Sequence, residues 1–255
     1  LFSTNSQNER IIKHCQEGGM AAIIEKGYLV ICKGEWKTRI EKIVNIPLSM
    51  NGRAEAMIKN ILPAALASVI QGFSIETIRE ALRSFIPSAT QTPGRMNIFD
   101  FKNYTVMIDY AHNPDGFVQL KKFMDKTEAS VKVALVSATG DRRDEDIRTI
   151  GRLCAQTFDE IIIKHDQDLR GRTKEEITSL LLEGIYSEAK PKIKIISNEK
   201  DAIQYAIDTA VDNAFITILA DKIYEVIDYV TMAQEKHTAH ETSIDKLINH
   251  SNGIY

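Results

Sequence analysis

From residue 96 onward, short apolar runs alternate with stretches of helical period. That alternation constrains the fold more than any other feature. Strands are expected at 96–101, 105–109, 131–137, 160–164, 192–196 and 214–219. Helices are expected at 115–126, 144–158, 173–186, 198–211 and 222–235. Strands separated by helices of this length form βαβ units, and such units build a largely parallel sheet. The first two strands are joined only by Lys102-Asn103, so they form a hairpin and one strand runs antiparallel. The fold class is therefore α/β, with a mostly parallel six-stranded sheet. The tail from Lys236 is read as polar and frayed.

Several of these strands end in polar clusters, and ligands of open α/β sheets bind at the carboxyl ends of strands. The second strand runs into Asp109-Tyr110-Ala111-His112-Asn113-Pro114. Asp109 either caps the helix that starts near Pro114, or accepts from a ribose hydroxyl or orients a cation. His112 is placed to reach a phosphate, since helix N-termini favour anions. The third strand ends in Gly140-Asp141-Arg142-Arg143-Asp144. Gly140 permits close backbone approach there, and the arginines can fork onto phosphate or carboxylate; a plain charged loop is the alternative. The fourth strand ends in Lys164-His165-Asp166-Gln167-Asp168-Leu169-Arg170-Gly171-Arg172, which suits a zwitterionic or cationic substrate or simply a solvated surface. His237 and His240, three residues apart, are a formal metal pair, but a polar tail explains them more simply.

The first 90 residues read differently. Segments 21–24 and 28–32 form a hairpin turned at Gly27, within a short, strand-rich stretch from Arg10 to Ile46. Residues 51–71 have helical periodicity, with Ala56, Ile61, Ala64, Ala65 and Ser68 available for close packing. Ser74 is an N-cap for a second helix ending near Phe85. Pro87 and Pro93-Gly94 then punctuate the chain, placing a domain boundary near residue 91.

Composition narrows the partners. A net charge of −3 over 255 residues gives no electrostatic case for nucleic acid or an anionic membrane. Cys15, Cys32 and Cys154 lie among apolar neighbours and read as reduced core thiols of a cytoplasmic protein. The sequence contains no GxxxxGK[ST] phosphate loop, no GxGxxG after a strand, no GxSxG and no CxxC. Because the chain opens at Leu1-Phe2-Ser3, we expect a piece of a larger protein.

Pro93-Gly94-Arg95, Asp109-Tyr110-Ala111-His112-Asn113-Pro114 and Gly140-Asp141-Arg142 together resemble the carboxyl-terminal part of the Mur ligase superfamily, which joins amines to carboxylates at the expense of ATP. Gly140-Asp141-Arg142-Arg143-Asp144-Glu145-Asp146 and Asp168-Leu169-Arg170-Gly171-Arg172 are similar to its cyanophycin synthetase branch. That branch builds a polyaspartate backbone bearing arginine. The likeness continues upstream through Phe2-Ser3, Gly18-Gly19-Met20-Ala21 and Ile46-Pro47-Leu48.

The resemblance implies that residues 1–90 are the α+β remainder of the central ATPase domain and 91–235 the third, Rossmann-like domain, with 236–255 a polar tail. It implies ATP contacts from Arg95, Asp109, His112 and Arg142, and recognition of the incoming amino acid by Asp168, Arg170 and Arg172. Asn60 matches the second asparagine of an adenine-contacting His-Asn-x-x-Asn motif, whereas Ala56 and Met57 replace its first two residues. ATP and Mg2+ are implied, bound largely by an upstream part, as are an aspartate-rich acceptor and an added amino acid, arginine above others. A homo-oligomeric full-length protein and a fragment without activity of its own are further expectations. Peptidoglycan or folylpolyglutamate ligases, and a non-catalytic binding module, are the alternatives.

Overall fold

The computed structural model describes residues 1–188 and 191–251, with 240–251 as backbone only. The chain forms two compact units that meet between Pro87 and Ser88.

The first unit carries a four-stranded sheet in the order β1 (Phe2–Ser3), β2 (Met20–Glu25), β3 (Tyr28–Lys33), β4 (Trp36–Lys42). β1 is parallel to β2 and the other pairs are antiparallel. Lys26 and Gly27 both have positive φ, 51° and 78°, as a two-residue hairpin turn requires. Period-two alternation splits the sheet into two apolar faces. Ala21, Ile23, Val30 and Cys32 pack on Ile11 and Cys15 of helix α1 (Glu9–Gln16). Ala22, Leu29, Ile31 and Ile40 pack against α2 (Glu55–Ile70) and Ile78 of α3 (Ile75–Ser84). The buried stripe of α2 is Ile58, Ile61, Leu62, Ala65 and Leu66, so Ala64, expected inside, is exposed. Ser74 caps α3 by accepting from the Thr77 N–H.

The second unit carries six strands: β5 (Asn97–Asp100), β6 (Thr105–Asp109), β7 (Val131–Val136), β8 (Glu160–Ile163), β9 (Lys192–Ile195) and β10 (Ala214–Leu219). Their spatial order is β5-β6-β10-β7-β8-β9, and only β5 is antiparallel. The intervening helices are α4 (Pro114–Met124), α5 (Asp144–Ala155), α6 (Lys174–Tyr186) and α7 (Glu199–Asp208), with α8 (Ile223–Ser251) last. Ala214, Ile216 and Ile218 of β10 face Ala202, Ile203, Val226 and Val230 of α7 and α8. On the opposite face Phe215 meets the ring of Phe123 from α4. The chain steps outward through β7, β8 and β9, then returns to insert β10 between β6 and β7. Right-handed crossovers place the returning helix on the other face.

One expectation fails here. The helix predicted to stop at Glu235 continues to Ser251. No Gly or Pro interrupts 223–251, and Ala, Glu, Lys and Leu are good helix formers. His237 sits on that helix against the rings of Phe101 and Tyr104, at 5.6 and 5.8 Å, and the side chain of His240 lies outside the described residues.

Candidate functional site

The carboxyl ends of β6, β10, β7 and β8 open onto one crevice. Tyr110, His112, Ser137, Thr139, Arg142, Asp166, Arg170 and Asp221 line it, and it holds ≈ 70 Å³. That is room for a small anion or about two waters, so a whole nucleotide would extend beyond it.

Asp109 closes one wall. Its half-buried carboxylate accepts from the Met96 N–H at 3.0 Å and the Ala111 N–H at 2.8 Å. Burial pushes its pKa upward, opposed by those two N–H groups and by Arg95. Asp109 thus locks Met96, whose φ is +51°, and so fixes the turn that carries Arg95. It does not cap the following helix; Asn113 does, accepting from the Gly116 N–H at 2.8 Å. Pro93-Gly94-Arg95 is likewise pinned to this unit. The Gly94 N–H donates to buried Asn97, and the Asn97 amide donates to the Thr92 carbonyl. From that turn the Arg95 guanidinium lies 5.6 Å above the Tyr110 ring, and the Tyr110 ring lies 4.7 Å from that of His112. His112 Nδ1 donates to the Tyr110 carbonyl at 2.9 Å, which leaves Nε2 for a ligand.

The opposite wall consists of two interlocked loops. A side chain at Gly140 would place Cβ 2.0 Å from the Leu169 carbonyl oxygen, so only glycine allows this approach. Arg172 bridges the loops, donating to the carbonyls of Gly140 (2.9 Å) and Arg142 (3.0 Å) and to Asp144 (2.7 Å). Arg170 reaches Asp141 at 3.0 Å, and its guanidinium holds the Asp141 carboxyl below its usual range. Asp168 accepts from the Arg170 N–H and shapes the turn.

Arg142 is different. Its Nε is buried and has no hydrogen-bond partner, and so is Ser137 Oγ beside it. A buried unpaired donor, above all a charged one, is costly. An anion with several acceptor oxygens, such as a phosphate, would relieve both at once.

Behind the crevice Lys164 is fully buried, with Nζ 2.8 Å from Glu199 and 3.4 Å from Asp166. His165 is also buried; Ser197 and Thr178 hydroxyls occupy both ring nitrogens, and burial lowers its pKa. It is a core residue. Of the residues expected from sequence, Arg95, Asp109, His112 and Arg142 gather at this edge together with Arg170 and Arg172. His112, Arg142 and Arg170 line the crevice itself, whereas Arg95, Asp109, Asp168 and Arg172 do not. Asn60 stands exposed on α2 in the first unit, beside a Met57 that is buried in the core. Lys164, in the cluster read as suiting a zwitterionic or cationic substrate, is instead a buried core cation, and Ser137 and Asp221 were not singled out from sequence. Asp221 joins the site because β10 inserts beside β6, with the Ala220 N–H on the Asp109 carbonyl. Only its place after an apolar strand could have signalled it.

Among the described residues, no group of three or more His, Cys, Asp or Glu could hold a metal ion, and no helix is long and apolar enough to cross a membrane. The family described as Mur ligase, glutamate ligase domain, matches residues 94–222, which contain the whole crevice. The chain belongs to the Mur ligase family. Over 99% of its length it is 40% identical to the cyanophycin synthetase of Nostoc sp., of which it spans 28%. It is 41% identical to that of Crocosphaera subtropica over 90% of its length, spanning 26% of that protein. The fold matches the structure of E. coli FolC in complex with DHPP and ADP with a TM-score of 0.62 at 18% identity, covering 84% of this chain and 46% of FolC.

Proposed function

We propose that this chain is part of an ATP-dependent ligase of the cyanophycin synthetase kind, which activates a peptide carboxylate as an acyl phosphate and adds an amino acid, arginine, to it. The observation that carries the reading is the pair of buried, unpartnered polar atoms, Arg142 Nε and Ser137 Oγ, at a strand-end crevice sized for a phosphate. The identity to cyanophycin synthetases over nearly the whole chain supports the branch.

In this reading the terminal phosphate of ATP docks on Arg142 and Ser137, and His112 Nε2 adds a polar contact from the β6 end. Arg95 extends along the same wall over Tyr110 toward the nucleotide. The carboxylate oxygen attacks phosphorus, the ADP oxygen leaves, and the amine then displaces phosphate through a tetrahedral intermediate. These residues work by positioning and by neutralising charge that builds up on phosphate oxygens. Mg2+, held largely by residues outside this chain, would share that neutralisation. Arg170 and Asp166 lie where the incoming amine would approach, and Arg172 keeps their loop in place.

The spans of its relatives lead us to place these units within a longer enzyme, with no turnover by the 255-residue chain alone. Phosphate release by the full-length protein, with an aspartate-rich primer and either arginine or aspartate, tests this. Release that depends on arginine supports the reading. Release without an amino acid requirement, or turnover by the purified short chain, overturns it.

A further inference from the structure

The first unit has a hollow of its own at the end of β4, about 280 Å³ in volume and distinct in chemistry from the crevice. Tyr28, Arg39, Lys42, Asn45, Arg79 and Arg83 surround it. The Arg39 guanidinium lies 5.0 Å from the Tyr28 ring centre and Lys42 Nζ lies 5.7 Å from it. Neither cation has a carboxylate within 4.0 Å among the described residues. A single buried carboxylate, Glu41, organises the floor. It takes Arg83 at 2.5 Å, Asn45 at 2.8 Å and the Lys42 N–H at 2.7 Å. Burial opposes its charge, but these three donors prevail and hold its pKa below the usual range. Glu41 is therefore spent within the wall; the exposed Glu76 lies 3.9 Å from Arg79, and Arg39 and Lys42 leave the rest of the exposed surface cationic.

β4 is also a sheet edge, paired only with β3 among the described residues. Arg79 covers one of its carbonyls, that of Ile40, at 2.8 Å. Open backbone groups beside unpaired cations and a ring suit a ligand with its own amide backbone and negative side chains. A nucleic acid would satisfy the cations but not the strand edge.

We propose that the β4 end is a second binding site, which seats a carboxylate-rich polypeptide along the open strand with its carboxylates on Arg39 and Lys42. The polymer's identity as an aspartate-rich acceptor rests on the ligase reading above; the site itself does not. It would tether the chain being extended on the first unit, while bonds form at the crevice of the second.

Trp36, the only tryptophan, is 84% exposed at the start of β4 and reports on this edge. The experiment titrates the 255-residue chain with poly-L-aspartate at low salt, following Trp36 fluorescence and the anisotropy of labelled polymer. Saturable binding is expected, weakening as salt screens the charges. An Arg39→Ser/Lys42→Ser variant should bind about tenfold more weakly, Arg39→Lys/Lys42→Arg should recover most of that loss, and Lys13→Ser, on α1 and in neither site, should bind as wild type. Far-UV circular dichroism checks that each variant folds. No saturable binding, or binding indifferent to the double serine change, overturns the proposal. Equal binding of a single-stranded oligonucleotide through the same residues replaces it with a general anion patch. Polyaspartate binding with no arginine-dependent phosphate release by the full-length protein would sink the ligase reading while leaving this site standing.

Discussion

Gly140 offers a sharp test of how the crevice wall is built. In Gly140→Ala the new methyl carbon would lie 2.0 Å from the Leu169 carbonyl oxygen and 3.2 Å from Cβ and Cγ of Arg172. Carbon and oxygen tolerate no closer than about 3.3 Å, so the 168–172 loop must retreat by more than an ångström. Retreat pulls the Arg172 guanidinium from two carbonyls it now holds at 2.9 and 3.0 Å. Overpacking against backbone costs about 1–3 kcal/mol, and each charge-assisted hydrogen bond adds about 1.5 kcal/mol if fully lost. The loop is partly exposed and can relax, so the net expectation is about 3 kcal/mol. In a unit of this size that lowers Tm by about 6–12 °C. Gly171 is the control. Its φ is +90° with nothing within 4 Å of a virtual Cβ, so Gly171→Ala carries only left-handed strain, about 1–2 kcal/mol, and Gly171→Asn recovers part of it. Urea melts of both alanine variants decide the matter. A Gly140→Ala cost no larger than that of Gly171→Ala would refute the close-approach argument.

Lys164→Met should cost about 3–5 kcal/mol, because it strands Asp166 and Glu199 without their buried cation; a Lys164→Met/Glu199→Gln double variant should regain part of this in urea unfolding. Glu41 has a folded pKa below its ordinary 4.5, so its stabilising effect is complete above about pH 4.5 and drains away as pH falls through the lower folded value. Glu41→Gln should therefore be less stable at neutral pH and show a shallower acid limb in melts; an unchanged acid limb would contradict the Arg83–Glu41 pairing. Burial raises the thiol pKa of Cys32 and Cys154, the latter by a wide margin, so iodoacetamide should leave both unmodified in the native chain and label them in urea. Rapid labelling of native Cys154 would place it outside the core.

Much of this architecture is written locally. β6 and β10 begin and end where their apolar runs do, and the strand-end clusters of β6, β7 and β8 fall on one edge because parallel strands align their carboxyl ends. Among the elements that escaped, α1 and β4 did so because little of either is buried. β4 interleaves Lys37, Arg39 and Lys42 and buries only Ile40 and Glu41, while α1 has eight residues and buries only Ile11 and Cys15. The reach of α8 was underestimated because polar composition was read as fraying, whereas helix persists wherever nothing breaks it. Within the site, the residue types were legible but their division of labour was not. Asp109 and Arg172 looked like ligand contacts and in the fold chiefly hold turns and loops together, a role fixed by backbone groups distant in sequence. Asp221 enters only through the insertion of β10, which no local pattern encodes, and Ser137 sits at the end of β7 where its small side chain drew no notice.

The most direct test of the account is arginine-dependent phosphate release by the full-length protein carrying Arg142→Gln, run beside wild type with saturating ATP and an aspartate primer. If the Arg142 guanidinium receives the phosphate, kcat falls by about 10²–10³ while the thermal melt is little changed, since Arg142 Nε makes no hydrogen bond that the variant would lose. Wild-type turnover in the variant would contradict the claim that this crevice is where the phosphate binds.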